Sequence, residues 1–108
     1  MPKYAVLFRF KGETIKTLMD KPSDRAAAVQ QLLDSAGGTL DAYYLMFGQY
    51  DGLVICDLPD SSSAAAVSFA VTSSGAFSHL ETHELVPVEQ VNTILEKANQ
   101  LTYRPPGS

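Results

Sequence analysis

Apolar and β-prone positions gather in four short runs along the chain, and each run predicts a β-strand. Residues 3–10 are largely apolar on both parities, which is typical of a strand covered on both faces. Residues 39–47, 52–58 and 76–86 have the same β-branched and aromatic character, and glycine or proline follows each of them. The sequence therefore predicts four strands.

Helical spacing of apolar residues fills the intervals between the strands. Residues 13–36 predict one broken helix or two short ones, because Pro22 lacks an amide hydrogen and clashes with the preceding turn. Ser23 is the predicted N-cap of the second part. Another helix is expected over about residues 61–74, and Pro87 suits the first turn of a final helix.

The order β-α-β-β-α-β followed by a C-terminal helix predicts a ferredoxin-like α+β fold. Its four-stranded antiparallel sheet carries both long helices on one face. The other face still holds large apolar groups, so a second subunit, the last helix, or both are expected to cover it. Alternation along the fourth strand places five side chains on one face: Phe77, His79, Glu81, His83 and Leu85.

Length and composition indicate a single domain with one hydrophobic core. The chain has 108 residues, with 45% hydrophobic and 19% charged residues, as in an ordinary soluble globule. We expect the domain to span residues 1–103 and the proline-rich residues 104–108 to form a flexible tail. The net charge is −4 and the eight basic residues are scattered, which argues against a nucleic-acid partner.

The single cysteine, Cys56, excludes an internal disulfide and favours a reducing compartment. The first residues lack the shape of a signal peptide, and no apolar run has the length of a membrane span. We therefore expect a cytoplasmic protein with no membrane partner. No phosphate loop, CxxC pair or dinucleotide fingerprint is present, so no cofactor is predicted.

Four segments carry a resemblance to a known family. They are Met1-Pro2-Lys3-Tyr4, Pro22-Ser23-Asp24-Arg25, Ala36-Gly37-Gly38 and Gly48-Gln49-Tyr50-Asp51. In this order they resemble the GYD domain family, named for a Gly-x-Tyr-Asp motif, and the resemblance extends to about Glu89. It implies a dimeric α+β barrel. Related barrels include cofactor-independent monooxygenases, isomerases and haem-handling enzymes, while others only bind small molecules, so the resemblance implies no particular reaction.

The turn that carries this motif is the first candidate site. Tyr50 could donate a hydrogen bond or a proton near a cavity mouth, with Asp51 orienting it or acting as a base. The structural alternative is a hairpin in which Gly48 supplies positive φ, Asp51 caps the turn and Tyr50 packs across the strand. Turn chemistry accounts for the glycine and the aspartate, but it does not require a tyrosine.

His79, Glu81 and His83 form the second candidate site. Their pattern suggests a metal site, but Cα atoms four residues apart on a straight strand are separated by roughly 13 Å. Both rings therefore cannot reach one ion without strong bending, and no metal site is predicted. A histidine could serve as an acid or base in a pocket, or both could form hydrogen bonds across a subunit interface.

Three further residues could bind a substrate. Arg9 stands in an otherwise apolar strand, and its partner could be Glu81, Asp51 or a substrate carboxylate. Tyr43 and Phe47 could line a cavity, although aromatic residues in strands usually belong to the core.

Two functions are consistent with these residues. One is an oligomeric small-molecule-binding barrel, which could act as a cofactor-independent enzyme on an apolar or aromatic substrate. Provided that they converge on a cavity, the residues it would use are Tyr50, Asp51, His79, His83 and Arg9. The other is a non-catalytic oligomeric or regulatory module whose polar residues form a subunit interface. Both functions imply that the chain associates with itself.

Overall fold

Strand β1 (Lys3–Phe10) lies inside a four-stranded antiparallel sheet in the computed structural model, which describes residues 1–107. It pairs with β3 (Gly52–Asp57) and β4 (Phe77–Leu85), and β2 (Thr39–Leu45) pairs with β3. The resulting order β2-β3-β1-β4 is that of the predicted ferredoxin-like fold, which is confirmed. The last three strands are shorter than predicted, and β2 ends before Phe47. Ser108, at the end of the predicted tail, lies outside the described residues.

Three helices connect the strands. Pro22 separates two short helices, as one of the two predicted alternatives has it: α1 (Gly12–Asp20) and α2 (Arg25–Ser35). The N-cap of α2 is Asp24, not Ser23 as predicted, because the Asp24 carboxylate accepts a hydrogen bond from the Ala27 amide at 3.0 Å. The third helix, α3 (Ser61–Ser73), precedes β4. No helix within residues 1–107 is long and apolar enough to cross a membrane.

The core lies between the sheet and the helices α2 and α3. Phe8 is at its centre, with its ring edge-on to those of Phe10 at 5.3 Å and Phe77 at 5.4 Å. The buried core cluster is formed by Tyr4, Phe8, Phe10, Leu33, Val54, Cys56, Leu58 and Ala64. One face of each strand therefore stabilises the fold, and the other face stays free of helices.

A bulge in β4 corrects one sequence prediction. His79 pairs with Arg9, but Phe77 pairs with Phe10, so Ser78 is an additional residue on the β4 side. The bulge reverses the alternation, and Phe77 points into the core instead of sharing a face with His79. The prediction from simple alternation, that all five side chains lie on one face, is therefore wrong for Phe77.

The last helix does not pack on the face of the sheet opposite the helices α2 and α3. A 3-10 turn (Val88–Gln90) leads into α4 (Val91–Asn99), whose main contacts are with that turn. The radius of gyration is 17.3 Å and the longest dimension is 56 Å. A compact chain of this length would have a radius of about 13 Å. Helix α4 therefore projects away from the body of the domain.

Candidate functional site

The face of the sheet opposite the helices, which we call the open face, has an apolar centre and polar ends. Cross-strand pairing places Tyr44, Leu53, Leu7 and Glu81 in one row across it. The open face is formed by Lys3, Ala5, Leu7, Arg9, Ala42, Tyr44, Leu53, Ile55, Asp57, His79, Glu81, His83 and Leu85. At one end, Lys3 forms ion pairs with Asp57 at 3.0 Å and with Asp41.

Glu81 collects three hydrogen bonds on the open face, and we call this group the Glu81 cluster. The Tyr50 hydroxyl, which comes from the loop between β2 and β3, donates to Glu81 Oε2. His79 Nε2 lies 3.1 Å from the same oxygen, and His83 Nε2 lies 3.2 Å from Oε1. The structure therefore brings the predicted Tyr50, His79 and His83 together, around a carboxylate that was not among the predicted catalytic residues.

Charge in the Glu81 cluster is set chiefly by the bond between Tyr50 and Glu81. Hydrogen bonds from Tyr50 and the histidines lower the pKa of Glu81, and the same carboxylate raises the pKa of Tyr50. At neutral pH, Tyr50 is thus a protonated donor and Glu81 an ionised acceptor. Across residues 1–107, no group of three or more His, Cys, Asp or Glu side chains is arranged to hold a metal ion.

Arg9 stands beside this cluster on the open face. Although it stands in an otherwise apolar strand, its side chain is exposed, so burial does not oblige it to pair with an anion. Arg9 Nη1 lies 3.4 Å from the backbone oxygen of Gln49, and within the described chain neither Glu81 nor Asp51 forms an ion pair with it. Arg9 therefore contacts the motif loop through the loop's backbone.

Asp51 links the motif loop to β1. Its carboxylate accepts a hydrogen bond from the Phe10 amide at 2.8 Å, and its own amide donates to Phe8 O at 2.8 Å. Its carbonyl oxygen accepts from the Met46 amide at 2.8 Å. These bonds hold Asp51 by main chain and side chain together, and they turn its carboxylate toward β1 rather than toward the Tyr50 hydroxyl.

A cavity of about 200 Å³, which we call the interior pocket, lies between the sheet and the helices α2 and α3. Its wall is mainly aliphatic and aromatic, with Phe8, Phe10, Val54, Val67, Phe77 and Leu80 among the lining residues. An apolar cavity of about 150 Å³ is already large enough to hold benzene. The interior pocket therefore has room for a small ring with a short substituent.

Four polar side chains also line the interior pocket. Ser68 is engaged with Ala64 O at 3.0 Å and with Thr82 Oγ1 at 2.7 Å, and Ser74 donates to Val71 O at 2.7 Å. The remaining two are Arg25 and Tyr43. Burial raises the pKa of the Tyr43 phenol, and the nearby Arg25 opposes this shift.

The family model of the GYD domain matches residues 4–95, which is most of the chain. This chain belongs to the GYD domain family. The match begins in β1, includes the Gly48–Asp51 motif and ends within α4. It confirms the family that the sequence segments indicated. No curated protein matches this GYD chain.

Several solved structures are similar to this GYD domain. A protein from Thermus thermophilus is 19% identical with a TM-score of 0.53, and the similarity covers 82% of this chain and 96% of that one. A protein from Agrobacterium tumefaciens is 13% identical (TM-score 0.49; 82% and 94% covered), and one from Arabidopsis thaliana is 14% identical (TM-score 0.48; 82% and 96% covered). The similarity to the Thermus protein shows the ferredoxin-like fold.

Each residue of the GYD motif has a local explanation in the structure. Gly48 has a φ of 127°, a conformation that side chains with a Cβ rarely adopt. Tyr50 reaches the Glu81 cluster, and Asp51 binds β1. The motif therefore does more than turn the chain, because its tyrosine and its aspartate each contact a different strand.

The two sides of the GYD sheet separate the predicted site residues. Tyr50, His79, His83 and Arg9 are on the open face or beside it, whereas Tyr43 lines the interior pocket with its ring 6.1 Å from that of Phe8. The interior pocket is not lined by the Glu81 cluster, so Tyr50 and the histidines do not line this cavity. Phe47 is 99% exposed in the loop after β2.

Sequence reasoning named Glu81 in the second candidate site but did not count it among the catalytic residues, and it missed Arg25. Glu81 has the same parity as the two histidines that flank it, so the strand pattern already placed it between them. Arg25 begins the series Arg25, Ala28, Val29 and Leu32, which is one face of a helix. A basic residue at the start of an apolar helix face was the sequence signal that could have indicated the interior pocket of this GYD domain.

Proposed function

We propose that this protein binds a small, mainly apolar molecule in the interior pocket. The observation that carries the proposal is a pocket of about 200 Å³ with a mainly apolar wall, in which Arg25 and Tyr43 lie next to each other and, among the described lining residues, the two serines are bound within the fold. Small-molecule sites typically combine an apolar wall with a few convergent polar groups.

The wall chemistry favours binding over catalysis at this pocket. Among the described residues that line it, none is a carboxylate or an imidazole. Cys56 is buried in the wall, and burial raises the pKa of its thiol, which keeps it in the unreactive protonated form. An enzymatic reaction on an apolar or aromatic substrate would have to use Tyr43 and Arg25.

Filling the pocket tests this proposal. Ala28→Phe places a ring into the interior pocket from α2, so we expect it to weaken the binding of indole, a neutral apolar probe, by at least about tenfold. Binding is measured by NMR titration, with the pocket methyl groups as reporters. Ala26→Phe is the matched control, since Ala26 is exposed on the same helix and should leave the affinity within about twofold. Equal binding to wild type and Ala28→Phe, or no binding to wild type, would contradict the proposal.

A second candidate function comes from the open face. Its apolar centre includes Leu7, Leu53 and Ile55, and Tyr44 beside them is 62% exposed. An apolar centre inside a polar rim is the usual anatomy of a protein interface. These features support an oligomeric module in which a second copy of the chain covers the open face and the Glu81 cluster belongs to the subunit interface.

Sedimentation of two matched variants tests self-association. Tyr44→Asp puts a charge beside the apolar centre of the open face, so we expect the dissociation constant of the wild-type oligomer to rise by about tenfold or more. Phe69→Asp is the control, because Phe69 is 76% exposed on α3, on the other side of the sheet. A wild-type monomer, or equal effects of the two substitutions, would rule out the open face as the interface.

A further inference from the structure

Arg25 occupies the boundary between the interior pocket and the surface. It lines the interior pocket, and it also lines two outer grooves, one shared with Asp51 and Met46 and the other with Lys21 and Thr14. Its side chain is partly exposed. A ligand with its apolar end in the pocket would therefore have its other end beside this guanidinium.

The guanidinium has no anionic partner in residues 1–107. No carboxylate lies within 4.0 Å of it, and the four ion pairs of the described chain involve only Lys3, His79 and His83 as bases. Asp24, which precedes Arg25 in the sequence, accepts a hydrogen bond from the Ala27 amide. Asp51, which lines an outer groove with Arg25, accepts one from the Phe10 amide. A cation next to an apolar pocket, without a counter-charge from the fold, is a recognition group for an anion.

Tyr43 adds a second polar group at the same end of the pocket. Because burial raises the pKa of its phenol, the hydroxyl is protonated at neutral pH and can donate a hydrogen bond. A guanidinium and a phenol that both donate suit an acceptor with two oxygens. The apolar wall excludes a large or multiply charged ligand, which leaves a monoanion with a small hydrocarbon body.

We propose that the ligand of the interior pocket is a small aromatic or aliphatic carboxylic acid, with its carboxylate bound by Arg25 and Tyr43 and its hydrocarbon part in the pocket. This inference rests on the proposed function, and it names the chemical class of the ligand. It makes Arg25 and Tyr43 the residues that determine specificity, and it assigns them no step of a reaction.

Matched acids and amides test the inference. At pH 7, benzoate should bind the wild-type protein about tenfold or more tightly than benzamide, which has the same ring without the charge. Arg25→Gln should remove this preference by weakening benzoate binding about tenfold, and it should leave benzamide binding within about threefold. Lys16→Gln, which removes a positive charge from α1 away from the pocket, should change neither affinity.

The outcomes separate this inference from the proposed function. If benzamide binds and benzoate binds no more tightly, the carboxylate assignment is wrong and pocket binding stands. If Arg25→Gln weakens both probes equally, Arg25 supports the pocket wall instead of recognising charge, and the assignment is also wrong. If neither probe binds but indole does, the carboxylate assignment is wrong and pocket binding stands; if indole does not bind either, both proposals fail. Thermal melting of Arg25→Gln and Arg25→Lys confirms that each variant is folded, and Arg25→Lys should retain part of the preference for benzoate.

Discussion

Replacing Gly52 with alanine is expected to lower the free energy of unfolding by about 2–3 kcal/mol. Gly52 begins β3 directly opposite Phe8, and a Cβ at this position would lie 2.2 Å from Phe8 Cζ. The ring of Phe8 cannot move aside freely, because Phe10, Phe77 and Tyr43 surround it. Because Phe8 also lines the interior pocket, the same substitution should weaken the binding of indole.

Urea denaturation followed by circular dichroism measures this loss. Gly12→Ala is the matched control, since a Cβ on Gly12 meets nothing within 4 Å and the residue lies at the start of α1. We expect that control to be neutral or to stabilise the protein by less than about 1 kcal/mol. An unfolding midpoint for Gly52→Ala equal to that of the wild type would contradict the prediction. It would show that the Phe8 ring can move aside to accept the added Cβ at little cost in free energy.

Replacing Asp51 with alanine is expected to cost about 2 kcal/mol of stability. The substitution removes a charged acceptor and leaves the Phe10 amide, at the end of β1, without its partner at 2.8 Å. Asp51→Asn keeps an oxygen in nearly the same place, so it should cost roughly half as much.

The same pair of variants addresses the role of Asp51 as a base. The stability of each variant is measured by urea denaturation. The affinity of each folded variant for indole is measured separately, without urea. If Asp51 acts through its bond to β1, stability falls in the order wild type, asparagine, alanine, and the folded variants still bind indole. Equal stability of all three proteins would contradict the structural role and return Asp51 to the candidates for acid–base chemistry.

Local patterns predicted most of the elements, because each depends on residues close in sequence. The strand over 3–10 has the predicted bounds, and Pro22 separates two helices as its missing amide requires. The position of Phe77 could not be predicted, since one additional residue in β4 reverses the alternation and depends on pairing with Phe10, far along the chain. The direction of α4 is likewise a tertiary property, which its apolar spacing alone does not determine.

The candidate site was predicted in its members but not in its arrangement. Tyr50 and Glu81 are 31 residues apart in sequence, and they meet only because the loop after β2 lies over β1 toward β4. In the binding hypothesis, Tyr50 and the histidines would line the cavity. It lies on the opposite face, where Arg25 at the start of α2 and Tyr43 on β2 come together. Such convergence depends on the order of the strands and on side-chain packing. The spacing of residues along the sequence does not determine either of them.

The bulges in the sheet have a consequence for edge-to-edge association of the outer strands. The two outer strands, β2 and β4, each carry one: the pairing shifts between Leu40 and Ala42 in β2, and around Ser78 in β4. An outer strand with unpaired amides is a template on which another chain can add, and a bulge interrupts that template by twisting the edge. Each edge also carries charge, with Asp41 on β2 and Glu81 on β4. Edge-to-edge growth into fibres is thus disfavoured at both sides of the sheet.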